Sequence, residues 1–181
     1  MSDLDILERL RGSSQDAFET IFRSYYPRLV GTAESMLHDR AAAEEVAQEV
    51  LLELWRRRAR LSVDTSLRAY LFRATRNRAL NWIRHEQAAR RAEPHGAPDP
   101  IAQPSAHNDL AQAEIDRAIR AAMDELPPRC REVFELSRVH GLRYSEIAEA
   151  LEISIKTVEA QMGKALRIVR ERLAPWLAGA E

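Results

Sequence analysis

The chain has 181 residues, of which 45% are hydrophobic, 6% aromatic and 30% charged, with a formal net charge of −1. That length suits one domain or two small ones, and the ordinary apolar fraction excludes wholesale disorder and low-complexity polymers. Charged residues interrupt every hydrophobic stretch, so nothing approaches the roughly 20 apolar residues that span a bilayer, and membrane insertion is excluded.

The start of the chain, Met1 to Asp5, is acidic where an export signal is basic and then apolar. The single cysteine, Cys130, excludes an internal disulfide and a paired-thiol metal or redox site. A reducing cytoplasm is the expected setting. The net charge hides a segregation: residues 1–53 sum to −6, 54–91 to +9, 92–126 to −5 and 127–181 to +1. Such blocks are either solvated faces or, for the all-arginine block, a surface that meets phosphate.

A short helix from Asp3 to Arg11 is expected to stop at Gly12, with Ser13 and Ser14 available to cap the next. That next helix carries Phe18, Ile21, Phe22, Tyr25, Leu29, Ala33 and Met36 at helical steps, with Pro27 as a local bend. Asp39 can cap a third helix that buries Val46, Val50, Leu51 and Leu54. Asp64, Thr65 or Ser66 can cap a fourth, from Leu67 to about Arg90, that packs through Leu67, Tyr70, Leu71, Ala74 and Ile83. Helices of this length close a small bundle. Prolines at 94, 98, 100 and 104 then disfavour helix and mark an extended linker.

Beyond the linker, Leu110, Ile115, Ala118, Ile119, Ala122, Met123 and Leu126 form a stripe ending at Pro127-Pro128. A helix from Arg129 to His140 ends at Gly141, which suits a left-handed cap. Two helices separated by almost nothing follow, Ser145 to Glu152 and Ile155 to about Leu173. Ile147, Ala148 and Leu151 face the core, Ile153 plugs the turn and Ser154 caps the second helix, which buries Ile155, Val158, Met162, Leu166, Val169 and Leu173. Its opposite stripe, Lys156, Ala160, Gly163, Lys164 and Arg167, is small or cationic, as a helix entering the major groove requires. Both lysines of the chain lie there. Glu159 repels phosphate unless it accepts a hydrogen bond from cytosine N4, and Glu152 stands in a turn that favours glycine. The expected fold is all-α: two small helical domains, 1–91 and 109–181, joined by a Pro-rich linker, 92–108, with a helix-turn-helix in the second.

Three blocks carry a resemblance to a known family. Ala43-Glu-Glu-Val-Ala-Gln-Glu-Val-Leu-Leu-Glu-Leu-Trp55 resembles the AED-x-x-QE-x-F-x-x-x-W pattern of region 2 in the extracytoplasmic-function (ECF) sigma factors of bacterial RNA polymerase. Ser66-Leu-Arg-Ala-Tyr-Leu-Phe-Arg-Ala-Thr-Arg-Asn77 is similar to that family's F-x-x-WL-x-x-IA-x-N block. Leu126 to Phe134, Gly141 to Ala148 and Ser154 to Val158 resemble its region 4. Leu51, Tyr70 and Ala74-Thr75 depart from the family's usual Phe, Trp and Ile-Ala.

The resemblance implies a two-domain sigma-70-type factor that binds core RNA polymerase, directs it to promoter DNA and helps open the minus-ten element. It implies docking on the polymerase β′ clamp through Glu45, Gln48, Glu49 and Leu52, whose bland reading is a solvated acidic face. Arg73, Arg76, Arg78 and Arg84 would hold phosphate, and Asn77 would meet an everted base. Trp82 and Tyr70 are each either a stacking surface or core, and Phe72 is assigned to the core. The minus-thirty-five element would be read by Lys156, Thr157, Ala160, Gly163, Lys164 and Arg167, with Arg143 on a phosphate. Val133 and Leu136 would either touch the β flap or belong to the core. An anti-sigma factor is an expected further partner.

One rival is a LuxR-like transcription regulator, since Glu-Ile-Ala-x-x-Leu-x-Ile-Ser-x-Lys-Thr-Val-Glu fits that group too, although the N-terminal half lacks the βα alternation of a receiver domain. The other is an enzyme. The five histidines show no HxxxH or HExxH spacing, and no Gly-rich phosphate loop or G-x-S-x-G turn is present. No catalytic residue, metal or cofactor is expected, and Cys130 reads as structural.

Overall fold

The computed structural model describes residues 3–61, 66–92 and 110–177. These fall into two compact units, one built from α1 (Asp3–Arg11), α2 (Gln15–Leu37), α3 (Arg40–Arg57), a 3₁₀ turn (Arg58–Arg60) and α4 (Leu67–Ala92). The other contains α5 (Leu110–Asp124), α6 (Pro128–Arg138), α7 (Tyr144–Leu151) and α8 (Ile155–Leu177). Among the described residues every regular element is helical, and no helix is long and apolar enough to cross a membrane. The proline-rich segment lies outside the described residues.

In the first unit α2, α3 and α4 pack on one another, with α1 laid on α2 and on the 3₁₀ turn. Ser14 caps α2 by accepting from the Ala17 N–H at 3.3 Å, and Asp39 caps α3 by accepting from Ala42 at 3.1 Å. Ser66 does the same for α4, accepting from Ala69 at 3.3 Å, whereas Asp64 and Thr65 lie outside the described residues. These acceptors satisfy N–H groups that the first helical turn leaves without partners. Gly12 follows α1 as expected, but the left-handed residue is Ser13, at φ 60°. The α2 helix runs unbroken across exposed Pro27, where water can take the freed Arg23 carbonyl.

Ile21, Tyr25, Leu29, Val30 and Ala33 from α2 meet Val46, Val50, Leu51 and Leu54 from α3 and Leu67, Leu71 and Phe72 from α4 in the core. Thr75 is also fully buried, and its hydroxyl donates to the Leu71 carbonyl at 2.9 Å, so the helix itself satisfies it. Phe22, expected inside, is instead exposed. It stacks on Tyr26 at a centroid distance of 4.8 Å and touches Phe18, which packs on Trp55 at 5.2 Å. Arg58 lies over the Trp55 ring at 4.1 Å and donates to Ser13 Oγ at 3.1 Å, and Arg11 donates to the Leu61 carbonyl. The turn after α3 is thereby tied to α1.

In the second unit Pro128 opens α6 at a position where a missing N–H costs nothing. Gly141 turns the chain at φ +69°, a conformation that penalises a Cβ. Leu126, Cys130, Val133, Leu136, Ile147, Ala150, Leu151, Val158, Met162 and Ala165 are buried. The Cys130 thiol donates to Gln161 Oε1 at 2.9 Å, linking α6 to α8. Val133 and Leu136 therefore belong to the core. Ile119 is exposed, against expectation, whereas Ala122 of α5 and Leu126 just beyond it are buried.

Candidate nucleic-acid interface

Glu45, Gln48, Glu49 and Leu52 are all exposed and lie at three- and four-residue steps, so they share one face of α3. Val46, Val50 and Leu54 on the opposite face are buried, which fixes this rotation. Leu52 is 50% exposed, an apolar group presented among acidic and amide side chains.

On α4, Asn77, Trp82 and Arg84 are exposed and Arg73, Arg76 and Arg78 half-buried. The Trp82 ring, left open between stacking surface and core, is 37% exposed. Tyr70 is half-buried. Arg78 forms an ion pair with Glu49 of α3 at 2.6 Å. The pair joins a residue expected to meet DNA to one expected to meet the polymerase. Both side chains are partly solvated, so the pair is worth only about 0–1 kcal/mol and yields readily to a stronger partner. Asn81, missed in the sequence, lies one turn beyond Asn77, is exposed, and accepts from Arg84 at 3.0 Å. Its four-residue spacing from Asn77 was the available signal.

The arginines of the basic block differ in what they hold. Arg57 pairs with Glu53, Arg58 braces the turn and Arg90 pairs with Glu86 at 2.6 Å. These contacts build or decorate the first unit, and Arg73, Arg76, Arg78 and Arg84 of the block lie on α4 with exposed Asn77.

In the second unit α7 ends at Glu152, whose φ of 56° lets its N–H reach back to the Ala148 and Glu149 carbonyls. Ser154 opens α8, accepting from the Thr157 N–H at 3.0 Å and sharing a hydrogen bond with the Thr157 hydroxyl at 2.8 Å. Two helices thus meet at a tight corner, the arrangement that presents the second helix to a groove. Val158, Met162 and Ala165 face the core. Lys156, Thr157, Ala160, Gly163, Lys164 and Arg167 are all exposed. A Cβ added at Gly163 would meet nothing within 4 Å, so no intramolecular packing requires glycine there. Arg143 is exposed at the start of α7, its N–H donating to Glu146 at 2.8 Å.

Several placements depart from the sequence reading, among them Leu166, Val169 and Leu173, which are half-buried. Ile155, expected in the core, is 49% exposed at the first position of α8, beside Lys156. Ala148 is only half-buried, and Ala150 fills the core instead. The sequence reading also passed over Val139, which is 66% exposed just after α6. Its only signal was an apolar residue beside the glycine turn.

Residues 21–89 match the family model for sigma-70 region 2, and residues 116–169 match that for sigma-70 region 4. The chain is 32% identical over 176 residues to the ECF RNA polymerase sigma factor SigK of Mycobacterium tuberculosis, covering 95% of this chain and 94% of the relative. It is 30% identical over 168 residues to the RNA polymerase sigma factor CarQ of Myxococcus xanthus, covering 92% and 95%. The fold is similar to that of CnrH in complex with the cytosolic domain of CnrY, at a TM-score of 0.65 and 22% identity over 99% of both chains. It is likewise similar to the sigma factor RpoE in complex with the anti-sigma factor NepR from Bartonella quintana, at a TM-score of 0.70 and 20% identity over 89% of this chain and 98% of that one.

Proposed function

The chain belongs to the ECF sigma factors of the sigma-70 family, and from that premise we propose how its surfaces divide the work of initiation. It binds core RNA polymerase, directs it to specific promoters and so governs transcription initiation. It acts by binding, in the cytoplasm, while the polymerase performs the nucleotide chemistry. The α3 face of Glu45, Gln48, Glu49 and Leu52 docks on the β′ clamp, where acidic and amide groups meet a basic partner helix around an apolar contact. The outward face of α4 holds the opened minus-ten strand, with Arg73, Arg76, Arg78 and Arg84 on phosphates and Asn77 on an unstacked base. Trp82, with its ring partly open, offers that strand a stacking surface. Residues 1–91 thus form the polymerase and minus-ten domain, 92–108 the tether and 109–181 the minus-thirty-five domain.

The observation that carries the assignment of the second unit is the division of α8. One side closes the core through Val158, Met162 and Ala165, and the other exposes Lys156, Ala160, Gly163, Lys164 and Arg167. Small side chains let the helix enter the groove, and the cations and Thr157 meet phosphates and base edges. Arg143 contacts the backbone from α7. With Val133 and Leu136 buried, the β flap is met through exposed Val139. An anti-sigma factor that covers these surfaces is the further partner.

The test is Lys164→Ala in the full chain bound to core polymerase. Footprinting should show protection of the minus-thirty-five element weakened by about fivefold or more, with polymerase binding unchanged. Full protection by the variant would remove α8 from that role.

A further inference from the structure

Glu159 is the only acidic residue from Ile155 to Arg170 of α8, and it stands exposed on the same side of the helix as Lys156, Ala160 and Gly163. The usual reasons for a helical glutamate are missing there. It lies past the first turn, where the helix dipole no longer favours an anion. Four residues before it stands Ile155 and four after it Gly163, so no i,i+4 cation is available, and Lys156, three residues before it, forms no ion pair with it among those described. The ion pairs described in this unit, Arg129 with Glu132, Arg131 with Asp124 and Glu135, and Arg172 with Glu125, do not include it. Its carboxylate contributes nothing described to the unit's packing, and beside a phosphate backbone it is repelled.

A carboxylate on a helix in the major groove has one favourable base partner. It only accepts hydrogen bonds, so guanine and thymine, which present acceptors, disfavour it. Adenine offers its N6 amino group next to the N7 acceptor, which repels the second carboxylate oxygen. Cytosine offers N4–H₂ with no acceptor of its own on the major-groove edge. We propose that Glu159 is a specificity-determining residue that selects cytosine at one position of the upstream promoter element. This rests on the reading that α8 enters the major groove at that element.

The experiment uses the full chain with core polymerase on templates in which each base pair of the upstream element is permuted, initiation being scored for all four bases at each position. The wild-type protein favours cytosine at one position by about fivefold or more. At that same position Glu159→Gln should shift the preference to adenine, Glu159→Lys to guanine, and Glu159→Ala should level it, with the other positions unchanged. A folding defect lowers initiation on every template and cannot move a preference from one base to another. If all the Glu159 variants keep the wild-type base profile while Lys164→Ala weakens use of the element, α8 reads DNA but Glu159 does not select, and the proposal falls. If neither set alters dependence on the upstream element, the groove reading of α8 falls with it.

Discussion

At Glu152 the backbone occupies the left-handed region, φ 56° and ψ 44°, with a side chain that gains nothing from being there. A non-glycine residue in that conformation costs about 1 kcal/mol. Replacing Glu152 with Gly should therefore raise the stability of the second unit by about 1 kcal/mol, read as a shift in the urea midpoint of the isolated chain. An unchanged or lowered midpoint would contradict the strained corner. Asn77 tests function at the same scale. It is exposed on α4 and makes no core contact, so Asn77→Ala should slow promoter opening by roughly tenfold while initial closed binding changes little. Opening rates measured by permanganate reactivity, against closed binding by mobility shift, separate the two; normal opening would take Asn77 out of the site. A motif places Asn77 at this position, and the structure adds that it is exposed. Ile155 was misread because its helical phase matched Val158, whereas its place at the first turn left nothing above it to pack against.

Helix α3 buries one face and exposes the other. Leu54 is fully buried and Leu52, two positions away, is 50% exposed. Leu54→Ala should cost about 2–5 kcal/mol of stability, as a cavity in a packed core does. Leu52→Ala should leave the melting transition within about 0.5 kcal/mol yet weaken binding to core polymerase. Paired thermal melts and polymerase titrations would expose an error if Leu52→Ala melted early or bound normally. The helices and most of their buried stripes were readable, since Val46, Val50, Leu51 and Leu54 keep one phase and Ser14, Asp39 and Ser154 keep capping chemistry. What periodicity does not encode is the contact between elements. The Arg78 pairing with Glu49, the Arg58 brace on Trp55 and Ser13, and the outward rotation of Phe22 all depend on how helices meet.

For the whole molecule, the near-zero net charge conceals opposed blocks, and the structure sorts them further. Part of the arginine-rich block is consumed within the first unit by Glu53, Glu86 and the Trp55 brace. Matches to sigma-70 regions 2 and 4, in that order along one chain, separate the sigma reading from a LuxR-like regulator, which shares only the helix-turn-helix wording. The proposed role of this chain is to give core polymerase its promoter choice. In vitro transcription with purified core polymerase on a randomised promoter library measures it most directly. Adding the chain should yield initiation from a bipartite class of templates with upstream and minus-ten elements at fixed spacing. Initiation no greater than with core polymerase alone, or without enrichment of either element, would contradict it.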